Sequence, residues 1–388
     1  MNPFLTPAKI IVTCSNRLAP YLEKEIRALG SVPLRVFKTG IELKGTMQDC
    51  IRLNLHLRTA SQVYYLLRSF RAVNANELYH QLSQMAWEEL MEPDGYFSVT
   101  SHVSNPTITN NLFANVRVKD AIVDRFRAKT GARPDSGSSL DRVVVHLYWK
   151  EDMADVFIDT SGETLSKHGY RKIPGKAPML ESLAASTILA TRWDRQSPFV
   201  NPMCGSGTLA IEAALIASNR PPGLLRTNYA FMHLSAYKPS YYKTVRASME
   251  ERILPNLSFP IIASDLSADA VNIARINAGI AGVEHLIHFQ EGDFADTDFP
   301  KEAGGVFMFN PEYGDRLGEE QALEQTYARM GDFMKQACAG YTGYIFTGNL
   351  ALAKKIGLRP AKRIEFFNGK IDCRLLEYEL YTGSRDKK

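Results

Sequence analysis

The 388-residue sequence predicts an α/β protein. A mostly parallel sheet with helices on both faces fills its C-terminal part, behind two smaller α+β units. Three observations carry this prediction. From about residue 166 onward, short apolar runs alternate with helical periodicity, the pattern of strand–helix–strand units. One such run, Phe199-Val200, leads into Asn201-Pro202-Met203-Cys204-Gly205-Ser206-Gly207-Thr208 and then a helical stretch over 209–217, so a glycine turn joins a strand to a helix. The chain closes on two long β runs, 363–367 and 371–381, around Asn368-Gly369, the strongest short hairpin signal. An antiparallel hairpin ending a parallel sheet departs from the dinucleotide-binding arrangement.

In chain order, Ile10-Ile11-Val12 and Leu34-Arg35-Val36 predict strands flanking an amphipathic helix over 19–29, whose Leu22, Ile26 and Leu29 share a face. A strand at 41–43 and a helix at 47–55 complete a first unit, residues 1–74. The second unit, 75–165, holds a strand at 97–99, a helix at 112–129, a loop rich in Gly, Pro and Ser at 131–139, and strands at 143–147 and 154–158. In the third unit, 166–388, strands at 261–264, 287–289, 306–309 and 344–346 alternate with helices at 268–278 and 323–338. The length favours such a division into two or three domains.

Composition narrows the class. The chain has 45% hydrophobic and 23% charged residues, ordinary for a soluble protein. No run of about 18 apolar residues predicts a membrane span. The five cysteines are scattered without a CxxC pair, so neither disulfides nor a zinc site is expected. The N-terminus lacks the basic-then-apolar layout of an export signal, and both features predict a cytoplasmic location. A net charge of +4 is compatible with a nucleic-acid partner without arguing for one.

Both informative motifs follow predicted strands, where open α/β sheets place ligands. Gly205, Ser206 and Gly207 let the backbone approach a ligand closely beneath exposed helix N–H groups. The turn is neither GxGxxG nor followed by a Walker lysine, which disfavours phosphate binding. Asp265 ends the next strand, where a carboxylate can accept both hydroxyls of a ribose. After the third strand comes Glu291-Gly292-Asp293-Phe294, with Asp293 placed to accept from an adenine amino group while Phe294 packs on the ring. A glycine turn and two aspartates at three successive strand ends describe a pocket for S-adenosylmethionine.

The second motif, Asn310-Pro311-Glu312-Tyr313-Gly314, follows Val306-Phe307-Met308-Phe309. An exocyclic amine on a base is a poor nucleophile because its lone pair is delocalised into the ring. The Asn310 oxygen and the following backbone carbonyl can accept its two hydrogens and aim the lone pair at a methyl group, with Tyr313 stacking on the base. Catalysis is then mainly positioning and electrostatic stabilisation, and the base must be unstacked or flipped.

These residues resemble the class I methyltransferases that modify amino groups of bases, whose clamp is usually Asn/Asp-Pro-Pro-Tyr/Phe. Residues 158–171 resemble the end of a THUMP domain and its exit, 177–185 the lead-in helix of the same family, and 367–375 its closing hairpin. The resemblance covers essentially the whole chain and is to the bacterial THUMP-containing 23S rRNA guanine-N2 methyltransferases, the RlmL-like group. It implies a ferredoxin-like domain over 1–74, a THUMP RNA-binding domain over 75–165 and a Rossmann-like, seven-stranded methyltransferase domain over 166–388. It further implies S-adenosyl-L-methionine held by Asn201, Met203, Cys204, Gly205, Ser206, Gly207, Thr208, Asp265, Asp293 and Phe294, and catalysis by Asn310, Pro311, Glu312 and Tyr313. The implied partner is 23S rRNA or a large-subunit precursor, without a membrane, contacted by Arg117, Lys119, Arg125, Arg127 and Arg171.

Two departures stand out. Asn201 occupies a position where Asp is commoner, and it keeps an acceptor oxygen. Glu312 replaces the clamp's second proline, which would stiffen the turn. Its carboxylate either reads guanine N1–H together with the amine or faces solvent. Adenine-N6 transfer uses the same clamp chemistry, and a non-catalytic RNA-binding assembly factor is the reading from another class. Residues 226–246 carry Tyr229, Phe231, Tyr237, Tyr241 and Tyr242 with Lys238 and Lys243, which either line an RNA entrance or pack onto the sheet. His168 is expected to be structural.

Overall fold

The structure is a computed structural model describing residues 2–106, 108, 110–173, 179–301, 304–314 and 320–381. The chain forms two compact units. One comprises Met1–Cys14, Leu22–Leu165 and Arg226–Met249; the other comprises Ser15–Tyr21, Ser166–Leu225 and Glu250–Lys388.

The first unit is built on β1 (Ala8–Thr13), β2 (Arg35–Phe37), β3 (Gly40–Gly45), β4 (Gln62–Arg71), β5 (Tyr96–Ser104), β6 (Asp135–Gly137), β7 (Val143–Lys150) and β8 (Met153–Asp159). They form one eight-stranded sheet in the order β2-β3-β1-β4-β8-β7-β5-β6, with β5 parallel to both neighbours and the other pairs antiparallel. The helices in this stretch are α1 (Ala19–Ala28), α2 (Met47–His56), α3 (Ala75–Ser83) and α4 (Asn111–Thr130). Helix α4 turns Ala114, Val118, Ala121, Ile122 and Phe126 inward at helical spacing, is capped by the Asn110 side chain and stops at Gly131 in the left-handed region. Sequence periodicity gives no strand at β4. Its apolar residues run together from Val63 to Leu67, and a bulge between Leu66 and Arg68 breaks the two-residue repeat.

Residues 226–249 belong to this unit, although in sequence they interrupt the C-terminal part. Tyr229 and Phe231 are fully buried and stack at 5.1 Å, and Tyr241 stacks on Phe4 at 5.3 Å. The Phe231 N–H donates to the Thr160 carbonyl, so this aromatic-rich insertion is packed into the first unit rather than onto the C-terminal sheet. It ends in α7 (Pro239–Glu250).

The second unit holds β9 (Phe199–Pro202), β10 (Ile261–Asp265), β11 (Ile287–Glu291), β12 (Gly305–Phe309), β13 (Tyr341–Thr347), β14 (Lys362–Asn368) and β15 (Ile371–Glu379). Their order is β11-β10-β9-β12-β13-β15-β14, and β15 alone runs against its neighbours, which is the predicted parallel sheet closed by a hairpin. Helices α5 (Glu181–Ala190), α6 (Thr208–Ala217), α8 (Ala268–Ala281), α9 (Glu320–Ala337) and α10 (Leu350–Lys355) complete it. Every residue of α6 is buried, which explains its apolar character all round. Of the lead-in segment, Ala177 and Pro178 lie outside the described residues. Ser15–Tyr21 is pinned to the closing hairpin: Arg17 pairs with Asp372 and Glu365 and covers the Phe367 ring, and Tyr21 stacks on Phe366.

Candidate active site

The glycine turn leaves β9 and bends through left-handed backbone at Met203, Gly205 and Gly207, which opens α6 as its N-cap. A methyl group added at Gly207 would lie 2.8 Å from the Ala274 Cβ of α8, so only glycine lets that helix pack here. At Gly205 the same position faces open space. The turn is tied down on several sides. The Cys204 N–H donates to the Ser264 carbonyl, and the Gly205 N–H donates to Asp265 Oδ2 at 2.9 Å. Asp265 Oδ1 accepts from the Ser267 N–H at 3.1 Å, so the carboxylate ends β10 and braces the turn at once. Asn277, buried in α8, donates to the Ser206 and Ile173 carbonyls at 3.2 Å each. Sequence reading misses Asn277, though a lone amide on the helix face shared with Ala274 and Ala278 is the signal that would have found it.

Asn201 is fully buried. Its Nδ2 donates to the Met308 carbonyl at 2.8 Å, linking the ends of β9 and β12, while its Oδ1 has no partner. Such an acceptor normally finds a donor. Met203 is half-buried against the core, and the Cys204 thiol is buried, which raises its pKa. Ser206 and Thr208 are buried with their hydroxyls 3.4 Å apart. Open space over Gly205, the free lone pairs of Asp265 and the orphaned Asn201 oxygen fit an adenosyl–amino-acid cofactor carrying hydroxyl and ammonium donors.

Asp293 and Phe294 do not both sit as the sequence suggests. Asp293 Oδ1 caps the short turn after β11 by accepting from the Ala295 N–H, and it also pairs with Arg329 at 2.8 Å. The Phe294 ring is only 6% exposed and meets Phe309 and Phe333 edge-on, with Arg329 over it at 5.0 Å. It is a core residue rather than a free stacking surface, because the sheet end it follows needs its area buried.

The Asn310–Gly314 clamp leaves β12 beside the turn. Asn310 Oδ1 accepts from the Tyr313 hydroxyl at 2.9 Å. Tyr313 is turned inward against Gly348 and Phe346, and burial raises its pKa. The ring therefore braces the clamp in this structure instead of standing free to stack on a base. Pro311 is buried and Glu312 is exposed. The Glu312 carbonyl accepts from the Tyr327 hydroxyl at 3.1 Å, and the Tyr313 carbonyl accepts from Asn349 Nδ2 at 3.0 Å. Neither Tyr327 nor Asn349 is marked by any local motif.

Arg171, expected at an RNA surface, is corrected. Its side chain is 10% exposed, pairs with Glu181 at 3.3 Å, and donates to Thr208 Oγ1 and to the Met179 carbonyl. Burial raises the Glu181 pKa, and Arg171 opposes this. Beside it, Glu212 of α6 accepts from the Tyr170 hydroxyl at 2.8 Å and meets His168 Nδ1 at 2.7 Å, so His168 is buried in this network. These charged groups sit under α6 and position it.

On α4, Arg125 makes a two-armed pair with Glu88 at 2.6 and 3.1 Å, which occupies its guanidinium in this structure. Arg117 covers Tyr79 at 4.7 Å and reaches Asn76. Lys119 is half-buried, and Arg127 is exposed with Asp124 3.7 Å away. Among the described residues no cluster of three potential metal ligands occurs, and no helix is long and apolar enough to cross a membrane.

Comparison with known proteins gives three family matches: the RlmL ferredoxin-like domain over residues 9–64, the THUMP domain over 72–159, and the RMKL-like methyltransferase domain over 168–377. The chain is 34% identical over 383 residues to the ribosomal RNA large subunit methyltransferase K/L of Syntrophotalea carbinolica, covering 96% of this chain and 54% of that protein. It spans about half the length of the K/L relatives it matches. It is 30% identical over 376 residues to slr0064 of Synechocystis, provisionally named an RNA methyltransferase, covering 97% of this chain and 98% of that protein. Among solved structures, that of SMU.472, provisionally described as a methyltransferase and complexed with SAH, superposes with a TM-score of 0.86 at 28% identity over 98% of this chain and 99% of the other.

Proposed function

The chain belongs to the RMKL-like methyltransferase family, and from that premise we propose that it transfers a methyl group from S-adenosylmethionine to the exocyclic N2 amine of a guanine in 23S rRNA or a large-subunit precursor. The observation that carries this reading is the adjacency of two strand ends. The turn after β9 and the clamp after β12 leave neighbouring parallel strands, and Asn201 bridges them.

The cofactor supplies an electrophilic methyl group when bound. Residues 201–208 shape its binding turn, with the unpaired Asn201 oxygen available to a donor. Asp265 accepts from the ribose hydroxyls with the lone pairs not taken by Gly205 and Ser267, and Asp293 accepts from the adenine amine with a carboxylate already shared with Ala295 and Arg329. Asn310 Oδ1 and the Pro311 carbonyl accept the two amine hydrogens, which requires the Tyr313 hydroxyl to yield its bond to Asn310. Residues 1–74, 75–165 and 166–388 act as ferredoxin-like, THUMP and methyltransferase parts, the first two delivering RNA. Lys119 and Arg127 remain the RNA contacts favoured on α4. An rRNA substrate and five free buried cysteines fit the cytoplasm.

The test is mass spectrometry of nucleosides from 23S rRNA incubated with the full chain and labelled cofactor, using rRNA from a strain lacking the gene. Label in N2-methylguanosine is expected. Label in N6-methyladenosine would overturn the base assignment, and no label in any nucleoside would overturn the activity.

A further inference from the structure

A proline at 312 would fix the backbone at that point of the clamp; glutamate leaves it free to turn. The structure contains a different restraint. The Asn349 N–H donates to Thr347 Oγ1 at 3.0 Å, Thr347 and the Tyr327 hydroxyl lie 2.9 Å apart, and Tyr327 donates to the Glu312 carbonyl at 3.1 Å. When Tyr327 gives its one proton to the Glu312 carbonyl, it accepts from the Thr347 hydroxyl, whose other acceptor, the Asn349 carbonyl, is farther away at 3.5 Å, and Thr347 in turn accepts from the Asn349 N–H. The Asn349 side chain is used twice. Its Oδ1 caps α10 by accepting from the Ala351 and Leu352 N–H groups, and its Nδ2 donates to the Tyr313 carbonyl. Tyr327 is fully buried on α9, so its hydroxyl has little freedom to point elsewhere. Two consecutive carbonyls of the clamp are thus held from α9 and from the start of α10.

We propose that Tyr327 and Asn349 are positioning residues that rigidify the Asn310–Tyr313 clamp in place of the missing proline. Held at 312 and 313, the peptide keeps Asn310 Oδ1 and the Pro311 carbonyl converging on one amine. Neither side chain touches the base. The inference rests on the clamp reading above, and its test separates the two.

The variants are Tyr327→Phe, which removes one hydroxyl, and Asn349→Asp, which keeps the helix cap and removes the donor to Tyr313. Tyr327→Phe is made both in the native chain and together with Glu312→Pro. Hydrogen exchange of the full chain should show faster exchange across 310–314 in both single variants, and slower exchange again when proline stands at 312. In turnover on rRNA, Tyr327→Phe should lower kcat about tenfold with Glu312 present, leaving KM for RNA and cofactor affinity within about twofold. In the Glu312→Pro background the same change should cost less than about twofold, because the two restraints are redundant. Equal losses in both backgrounds, or unchanged exchange at 310–314, would overturn the proposal. If Tyr327→Phe fails to fold, Asn349→Asp decides by the same exchange measurement. A native chain without methyl transfer but with the expected exchange pattern would reject the function and keep the restraint.

Discussion

At the end of β9 the chain is held mainly by its own backbone, whereas at the end of β12 it is held by side chains that arrive from elsewhere. The turn's shape comes from left-handed residues within five positions, Met203, Gly205 and Gly207, with two side-chain braces, Asp265 on the next strand and Asn277 on α8. The clamp has no such local rule. Its carbonyls depend on Tyr327 and Asn349, and its key oxygen is held by Tyr313. A surface that binds one cofactor in one pose can be stored in local conformation. Under the proposed function, the clamp must release Asn310 to an incoming amine, and bonds that can exchange suit that task.

The comparison breaks most visibly at Asn310. Asn310→Ala should lower methyl transfer by about a hundredfold or more, the scale of one lost oriented partner, with cofactor affinity nearly unchanged. Equal damage to affinity and rate would mean the two strand ends are not separate functions. Next, Asp265→Ala should weaken cofactor binding in calorimetry at least about tenfold, since charge-assisted hydrogen bonds contribute about 1.5–3 kcal/mol each at most. An unchanged dissociation constant would remove Asp265 from the pocket.

Two alanines sharpen the backbone side. Gly205→Ala meets open space and costs only its left-handed conformation, about 1–2 kcal/mol of stability. Gly207→Ala adds the approach to Ala274, bringing a further penalty of about 1–3 kcal/mol. Denaturant unfolding should therefore rank Gly207→Ala below Gly205→Ala, and a reversed order would show that the Ala274 contact relaxes freely. The smallest effect belongs to Glu312→Gln. If the carboxylate reads guanine, activity on guanine should fall several-fold, about 1 kcal/mol for one hydrogen bond. Full activity would leave Glu312, exposed here, as a turn residue and return base selection to the backbone.

The same contrast explains what could be read in advance. Glycines, a strand-end aspartate and Asn310-Pro311 declare themselves because their requirements are local. The hairpin around Asn368-Gly369 is legible for the same reason. Phe294 misleads because an aromatic after a strand end serves the core as well as a ligand, and only its burial against Phe309 and Phe333 decides. Arg171 and Arg125 mislead because a basic residue carries no mark of the buried or neighbouring carboxylate, Glu181 or Glu88, that will claim it. Tyr327 and Asn349 are silent because their task exists only once α9 and α10 are in place.

The pairing of Arg17 with Asp372 spans 355 residues of chain. During synthesis at about 5–20 residues per second, the segment around Arg17 emerges roughly 20–70 s before the hairpin that receives it. Throughout that interval Ser15–Tyr21 must wait without its partners while β1, just before it, and α1, which begins within it, are already available to fold. The β14–β15 hairpin therefore secures a segment made 355 residues earlier, and a chain interrupted before Glu365 would leave Arg17 and Tyr21 without their aromatic and acidic cover.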